Sequence, residues 1–288
     1  MGKSYSAIVY IKGSQTIAER SDGTLITSGT IGVNDVGVFQ SAINYINGLS
    51  SKGKLVLGEG NFVFKTTPTL YRDIPIEGNG RRNTKIIAGN DVTIFDIHDI
   101  RYVNISDLYL YASMTQTKPI IRLYADSTFI SECIFKNITI DSPDISKRNF
   151  IGIELLSNKD GIYFNTFRDI HIRGAGKAIF LDNMIKADNG SWVNGNTFSC
   201  IDIDSFGTGI EFGRDGYMAS GSYGYSHNMF EYIRMEGDPQ SNYGIYHRKG
   251  KGNSFIMVLP WDLTDSSHGC IIESGKESSP YVIGDFDP

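Results

Sequence analysis

The chain has 288 residues, 40% hydrophobic and 20% charged, with 32 glycines, 8 prolines and a net charge of -5. That composition describes a soluble folded chain, and its sign excludes bulk attraction to nucleic acid or anionic lipid. No apolar run approaches the ~20 residues that cross a bilayer, and the opening residues lack the apolar stretch of a signal peptide.

Residues 1–29 read as an N-terminal hairpin or docking segment, with short alternating bursts (Ala7–Ile11, Thr16–Ala18, Thr24–Thr27) around Ser21-Asp22-Gly23. An amphipathic helix follows. Asn34 is its expected cap, Val36, Phe39, Ile43 and Ile46 form its apolar stripe, and Gly48 stops it. Strands are expected at Lys54–Leu57, Asn61–Phe64, Ile74–Ile76 and Thr84–Ile87.

From Val103 one phrase recurs six times: apolar-x-apolar-x-x-aliphatic-x-aliphatic. The copies start at Val103, Cys133, Asn165, Asn196, Asn228 and, degraded, Asn253, so the intervals are 30, 32, 31, 32 and 25 residues. Each interval holds a second apolar strand, as at Phe95–Ile97, Ile121–Leu123, Ile153–Leu155, Ile179–Leu181, Ile210–Phe212 and Ile245–His247. A unit of this length cannot bury its apolar face alone, so neighbouring copies must stack. Two or three short strands per interval, joined by glycine turns, describe one coil of a parallel β-helix. A leucine-rich repeat needs a leucine ladder, and a propeller blade needs four antiparallel strands in ~40–50 residues. Neither pattern is present. Residues 30–288 are therefore expected to be one all-β solenoid with a capping helix at its start. Cys133, Cys200 and Cys270 make no disulfide framework and are expected as small buried hydrophobes. No cofactor and no metal site is expected.

The segment Asn34–Ile46, then Gly53–Phe64, then Ile76-Glu-Gly-Asn-Gly80 resembles the start of the pectate-lyase-like superfamily. The resemblance implies a right-handed parallel β-helix over about residues 30–275, with the helix capping the first coil. That superfamily includes polygalacturonases, pectate lyases, and viral tailspike and receptor-binding proteins, so it leaves function open. The catalytic motifs do not carry over. Polygalacturonases carry Asn-Thr-Asp, but phenylalanine follows Asn-Thr at both Asn165 and Asn196; no Asp-Asp pair exists, and Ser267-His268-Gly269 stands nearest to Gly-His-Gly.

Stacking turns outward positions into columns. One column is Tyr109, Thr139, His171, Asp202, Arg234, and a second is Tyr111, Asp141, Arg173, Asp204, Glu236. If the chain is a polysaccharide hydrolase or lyase, Asp202, Asp204 and Glu236 are the candidate acids, with ~7 Å along a strand and ~5 Å between coils. Alternating signs, Arg173 beside Asp204 and Asp202 beside Arg234, read more simply as solvated charge ladders. The repeated Asn165, Asn196, Asn228 and Asn253 read as corner residues whose amides bond between coils.

Long excursions at 182–195, 213–227 and 237–243 interrupt the coils. Their Trp192, Tyr217, Tyr223, Tyr225 and Tyr243 suit stacking on sugar rings, with Arg214, Asp188, Asn189 or Asn194 bonding hydroxyls. The residues after Ile272 supply one short strand and a weak lid, so a partner or two further copies in a homotrimer are expected to cover that end. The reading that collects these features is a non-catalytic β-helix of a virion or cell surface that binds a surface glycan. A glycan-degrading enzyme and a purely architectural shell or filament subunit are the alternatives.

Overall fold

A computed structural model describes residues 5–184, 191–213, 224–247, 250–261, 270–272 and 278–283. The expected hairpin is a three-stranded antiparallel meander, Ala7–Lys12, Gln15–Arg20 and Leu25–Thr30. Its first strand also pairs in parallel with Leu55–Leu57, which joins the meander to the first coil. The helix spans Asp35–Asn47 and buries Val38, Phe39, Ala42, Ile43 and Ile46. Asn34 makes no side-chain cap bond. Asp35, fully buried, takes the anchoring role instead: it accepts from Thr16 Oγ1 (2.5 Å), Gly32 N (2.9 Å) and Val63 N (2.7 Å). One carboxylate thus ties meander, helix and first coil together.

The repeated phrase forms the long face of a parallel β-helix. Its strands are Asn104–Tyr111, Ile134–Asp141, Thr166–Arg173, Thr197–Asp204, Met229–Glu236 and Gly250–Trp261, each paired in parallel with the next. The second face stacks Phe95–His98, Ile121–Ala125, Ile151–Ser157, Lys177–Asn183, Thr208–Phe212, Tyr243–His247 and Cys270–Ile272 in the same way. Short corner strands, Ile130–Ser131, Ile162–Tyr163, Val193–Asn194 and Tyr225–Ser226, precede the long face.

The phrase owes its spacing to a bend. In a straight strand, residues three apart face opposite sides, yet Phe167 and Ile170 are both buried. The residue before the aliphatic one is left-handed in every copy: Asp107, Asn137, Asp169, Cys200, Tyr232 and Met257, with φ between 50° and 62°. That single residue turns the strand and restores the inward direction. Cys200 stands at such a bend and is exposed, contrary to its expected burial. Cys133 is buried, and burial pushes its thiol up to about 11.

A second left-handed column lies at the corner, at Tyr102, Glu132, Phe164, Gly195, His227 and Gly252. The following residue in the last four copies is the repeated asparagine, fully or almost fully buried. The side-chain oxygens of the last three each accept two bonds from the coil before. Asn196 Oδ1 takes Asn165 N (3.1 Å) and Nδ2 (2.9 Å), Asn228 Oδ1 takes Asn196 N (3.1 Å) and Nδ2 (3.0 Å), and Asn253 Oδ1 takes Asn228 N and Nδ2 (both 3.0 Å). The ladder closes upward at Cys133, whose N–H donates to Asn165 Oδ1 (2.9 Å). Beside it Phe135, Phe167, Phe198, Phe230 and Phe255 stack at 4.8, 4.7, 4.7 and 5.1 Å between ring centroids.

Asn196→Ala removes a double acceptor and a buried donor together. It is expected to cost about 2–4 kcal/mol, readable as a lowered denaturant midpoint with an unchanged slope. At the other end of the ladder, Asn253 Nδ2 donates to the fully buried His247 Nε2 (3.1 Å). Burial pushes His247 down from 6.5 to about 4. The unfolded chain therefore takes a proton that the folded chain refuses, and stability falls as pH drops from 6.5 toward about 4, by ~3 kcal/mol at most. Melting temperatures across that range should show the loss, and His247→Gln should flatten it.

Candidate functional site

The outward columns of the long face align as the phrase predicts. Tyr109 pairs with Thr139, Thr139 with His171, His171 with Asp202, and Asp202 with Arg234. In the second column Arg173 lies opposite Asp204, and Asp204 opposite Glu236. The ion pairs run differently from the expected ladder. Arg234 does grip Asp202, through Nε–Oδ1 at 2.6 Å and Nη2–Oδ2 at 3.1 Å. Asp204, however, bonds diagonally to His171 Nε2 at 2.8 Å instead of to Arg173.

Arg234 also lies 3.6 Å from Asp204 and 3.4 Å from Glu236. One guanidinium therefore serves all three carboxylates that sequence reasoning offered as catalytic acids. A glycosidase of the two-carboxylate type needs one carboxyl kept protonated in an apolar setting. Here the bond from His171 holds Asp204 below the usual carboxylate range, with the charges of His171, Arg234 and Arg173 adding to it. His171 is in turn raised, chiefly by its bond to Asp204. His171, Asp202 and Asp204 bring one donor atom each within 4.8 Å of one another, a spacing that suits a metal ion. A cation there would compete with Arg234 for Asp202 and with the His171–Asp204 bond, so those residues fit an ion-pair cluster better.

Beside this cluster lies a groove of about 570 Å³, whose lining includes Arg81, Arg82, Tyr109, Asp141, His171 and Arg173. Arg81 and Arg82 come from the turn that follows Gly80, whose carbonyl accepts from Asn83 N (2.9 Å) and Thr84 N (3.0 Å). Buried Thr84 anchors the turn by donating to the Gly58 carbonyl (2.9 Å). Asp141 is engaged by the Tyr109 hydroxyl and by Ser142 N. Among the described residues, Arg81, Arg82 and Arg173 have no ion-pair partner. Sequence reasoning placed Arg173 in its column but passed over Arg81 and Arg82, whose adjacent pair directly after Gly80 was the available signal.

The aromatic row expected from the loops is only partly assembled. Arg214, Tyr217, Tyr223, Asp188 and Asn189 lie outside the described residues. Tyr225 is core, not surface: it is 7% exposed, and its ring meets Phe212 edge-on at 6.2 Å. Register explains this, because Tyr225 pairs with inward-facing Val193 and not with Trp192. Trp192 is half-buried over Gly161, where a Cβ would stand 2.4 Å from its indole nitrogen. Tyr243 belongs to the second face and stacks on Tyr246 at 4.9 Å.

No protein-family model matches the chain, and no curated protein sequence does. Solved structures similar to it include the catalytic domain of a GH87 α-1,3-glucanase in complex with nigerose, at 12% identity and a TM-score of 0.38. That likeness covers 85% of this chain and 66% of that domain. The Azotobacter vinelandii mannuronan C-5 epimerase AlgE6 A-module is similar at 13% identity and a TM-score of 0.30, over 88% of this chain and 97% of the module. These are distant likenesses, and the parallel β-helix described above stands on its own pairing register.

The His171–Asp204 bond gives the cluster a pH signature. A raised histidine stabilises the fold fully below its ordinary 6.5 and loses that contribution as pH rises through the raised value. A lowered aspartate contributes above its ordinary 3.8 and loses it as pH falls. Stability from this pair is therefore greatest between those limits. His171→Gln should remove the part of the melting-temperature decline that the natural chain shows above pH 6.5, measurable by calorimetry at matched ionic strength.

Proposed function

We propose that this protein is a non-catalytic glycan-binding β-helix whose ligand, a surface glycan bearing acidic groups, lies in the long-face groove. The observation that carries the proposal is the charge arrangement. Of the carboxylates that line the groove, Asp141 is bonded to Tyr109 and Ser142, Asp169 lies 3.2 Å from Arg168 and Asp202 is gripped by Arg234, whereas Arg81, Arg82 and Arg173 have no ion-pair partner among the described residues. Guanidinium forks match carboxylate and sulfate oxygens in pairs. Tyr109 adds a ring wall along the same groove.

Placement on a virion or cell surface as an attachment protein, in a homotrimer, is the fuller form of this reading.

Titration calorimetry with sulfated and uronic-acid oligosaccharides, against neutral ones of equal length, tests the binding. Binding should be confined to the acidic set and weaken with salt. Arg173→Ala should reduce affinity about 10- to 100-fold, the loss of one charge-assisted contact. Release of reducing ends from the same sugars, abolished in Asp204→Asn, would replace this reading with a glycan-cleaving enzyme.

A further inference from the structure

At the corner ahead of the long face, aromatic rings of one coil lie beside glycines of the next. Three columns run along the stack there: Phe129, Gly161, Trp192, Gly224; then Ser131, Tyr163, Asn194, Ser226; then Glu132, Phe164, Gly195, His227. Each ring lies against a gap that a neighbouring coil leaves open. Trp192 covers Gly161, and Phe164 covers Gly195, where a Cβ would stand 3.0 Å from the phenyl ring. Tyr163 stacks on Phe129 at 5.1 Å with 22° between planes, and meets Phe164 edge-on at 5.3 Å. The Arg101 guanidinium lies 4.4 Å from the centre of the Phe129 ring. The result is an aromatic plate across three coils, about 10 Å along the stack.

Nothing in the fold calls for this plate. Phe164 is 67% exposed and sits at φ 57°, where an L-residue costs about 1–2 kcal/mol. Gly195 and Gly252 fill the same position two other times without that cost. Strain kept on an exposed aromatic marks function more often than packing. The polar edges also stand unused: among the described residues, the Trp192 indole N–H, the Tyr163 hydroxyl and the Arg101 guanidinium have no hydrogen-bond partner.

We infer that this plate is a second carbohydrate site, separate from the long-face groove and independent of the reading given to it. It takes a neutral hexopyranose segment, roughly a disaccharide in length, by the apolar faces of its rings. Flat rings interleaved with free donors suit a ligand that is apolar on its faces and rich in oxygen at its edges. Trp192, Phe164 and Tyr163 supply the stacking surface, while Arg101, Trp192 Nε1–H and the Tyr163 hydroxyl bond ring hydroxyls. The groove reaches Asp169, five residues along the strand from Phe164 and therefore roughly 15 Å away.

The chain has two tryptophans, so in a Trp261→Phe background Trp192 is the sole reporter. Its emission would be titrated with maltohexaose, cellohexaose, laminarihexaose and mannohexaose. At least one should give a saturable shift, and calorimetry on the unsubstituted chain should return the same affinity. Phe164→Gly, which copies the residue of Gly195, should weaken binding at least tenfold without lowering the melting temperature. Arg173→Ala, in the groove, should leave it unchanged. The inference is overturned if none of the four sugars produces a saturable signal by either method, or if the signal survives Phe164→Gly. It is also overturned if sedimentation shows the plate joining two copies of the chain, seen as self-association that Phe164→Gly removes.

Discussion

The asparagine corner holds the register on which everything else in this stack depends. In a sheet of period two, a slip of one residue would exchange the buried and exposed sides of a whole coil. Hydrophobic pattern alone resists that slip by burial. Asn165, Asn196, Asn228 and Asn253 add a directional lock: the last three oxygens each accept both the backbone and the side-chain N–H of the asparagine in the coil before, and Asn165 accepts the backbone N–H of Cys133. The left-handed residue just ahead of each asparagine aims it inward, and the phenylalanine stack follows two residues later. The corner is buried and polar, so a partly made ladder would leave unpaired amides in the core. It is built whole or not at all.

Fixed register has a chemical consequence at the surface. Equivalent positions must stand side by side, so a charged residue cannot choose its neighbour by moving its backbone. It can only choose between the straight and the diagonal partner. Asp204 has Arg173 opposite it on one side and His171 on the diagonal, and it bonds to His171. Arg173 is then left to the groove, although it stands next to a carboxylate in the column. Arg234 takes the opposite course, gripping Asp202 straight across and reaching Asp204 and Glu236 as well. The outward positions thus yield a neutralised cluster and, beside it on the same strand as His171, one guanidinium unpaired among the described residues, that of Arg173.

Much of this was legible in the sequence because it repeats. The coil interval, both faces, the outward columns and the bonding role of the asparagines follow from residues that recur at matched positions. What was misread lies where repetition ends. Tyr225 was expected on the same side as Trp192 because both loops end just before an asparagine phrase, but Trp192 lies four residues before Asn196 and Tyr225 three before Asn228, and pairing sets Tyr225 opposite Val193 in the core. Arg81 and Arg82 belong to a turn before the first copy of the phrase and have no equivalents to align with. Cys200 was expected inside because cysteine usually is, yet its position is the left-handed bend, which points outward whatever residue fills it. Phe129, Tyr163 and Phe164 went unnoticed because single coils show only one or two of them.

The bend and the corner also show where this fold accepts cost. Left-handed backbone is cheap for glycine, asparagine and aspartate, and the first three bends use Asp107, Asn137 and Asp169. The last three use Cys200, Tyr232 and Met257, and the corner column includes Phe164 and Tyr102. Tyr232 is 55% exposed and Met257 is 47% exposed, so burial does not repay the strain at those sites. A stack that tolerates any residue at an outward left-handed position has free choice there, since the asparagines and phenylalanines already hold the coils. Side chains that are large, exposed and strained at such positions answer to something other than the fold. The register is therefore the scaffold's share of this protein, and the departures from repetition are where the two proposed binding sites lie.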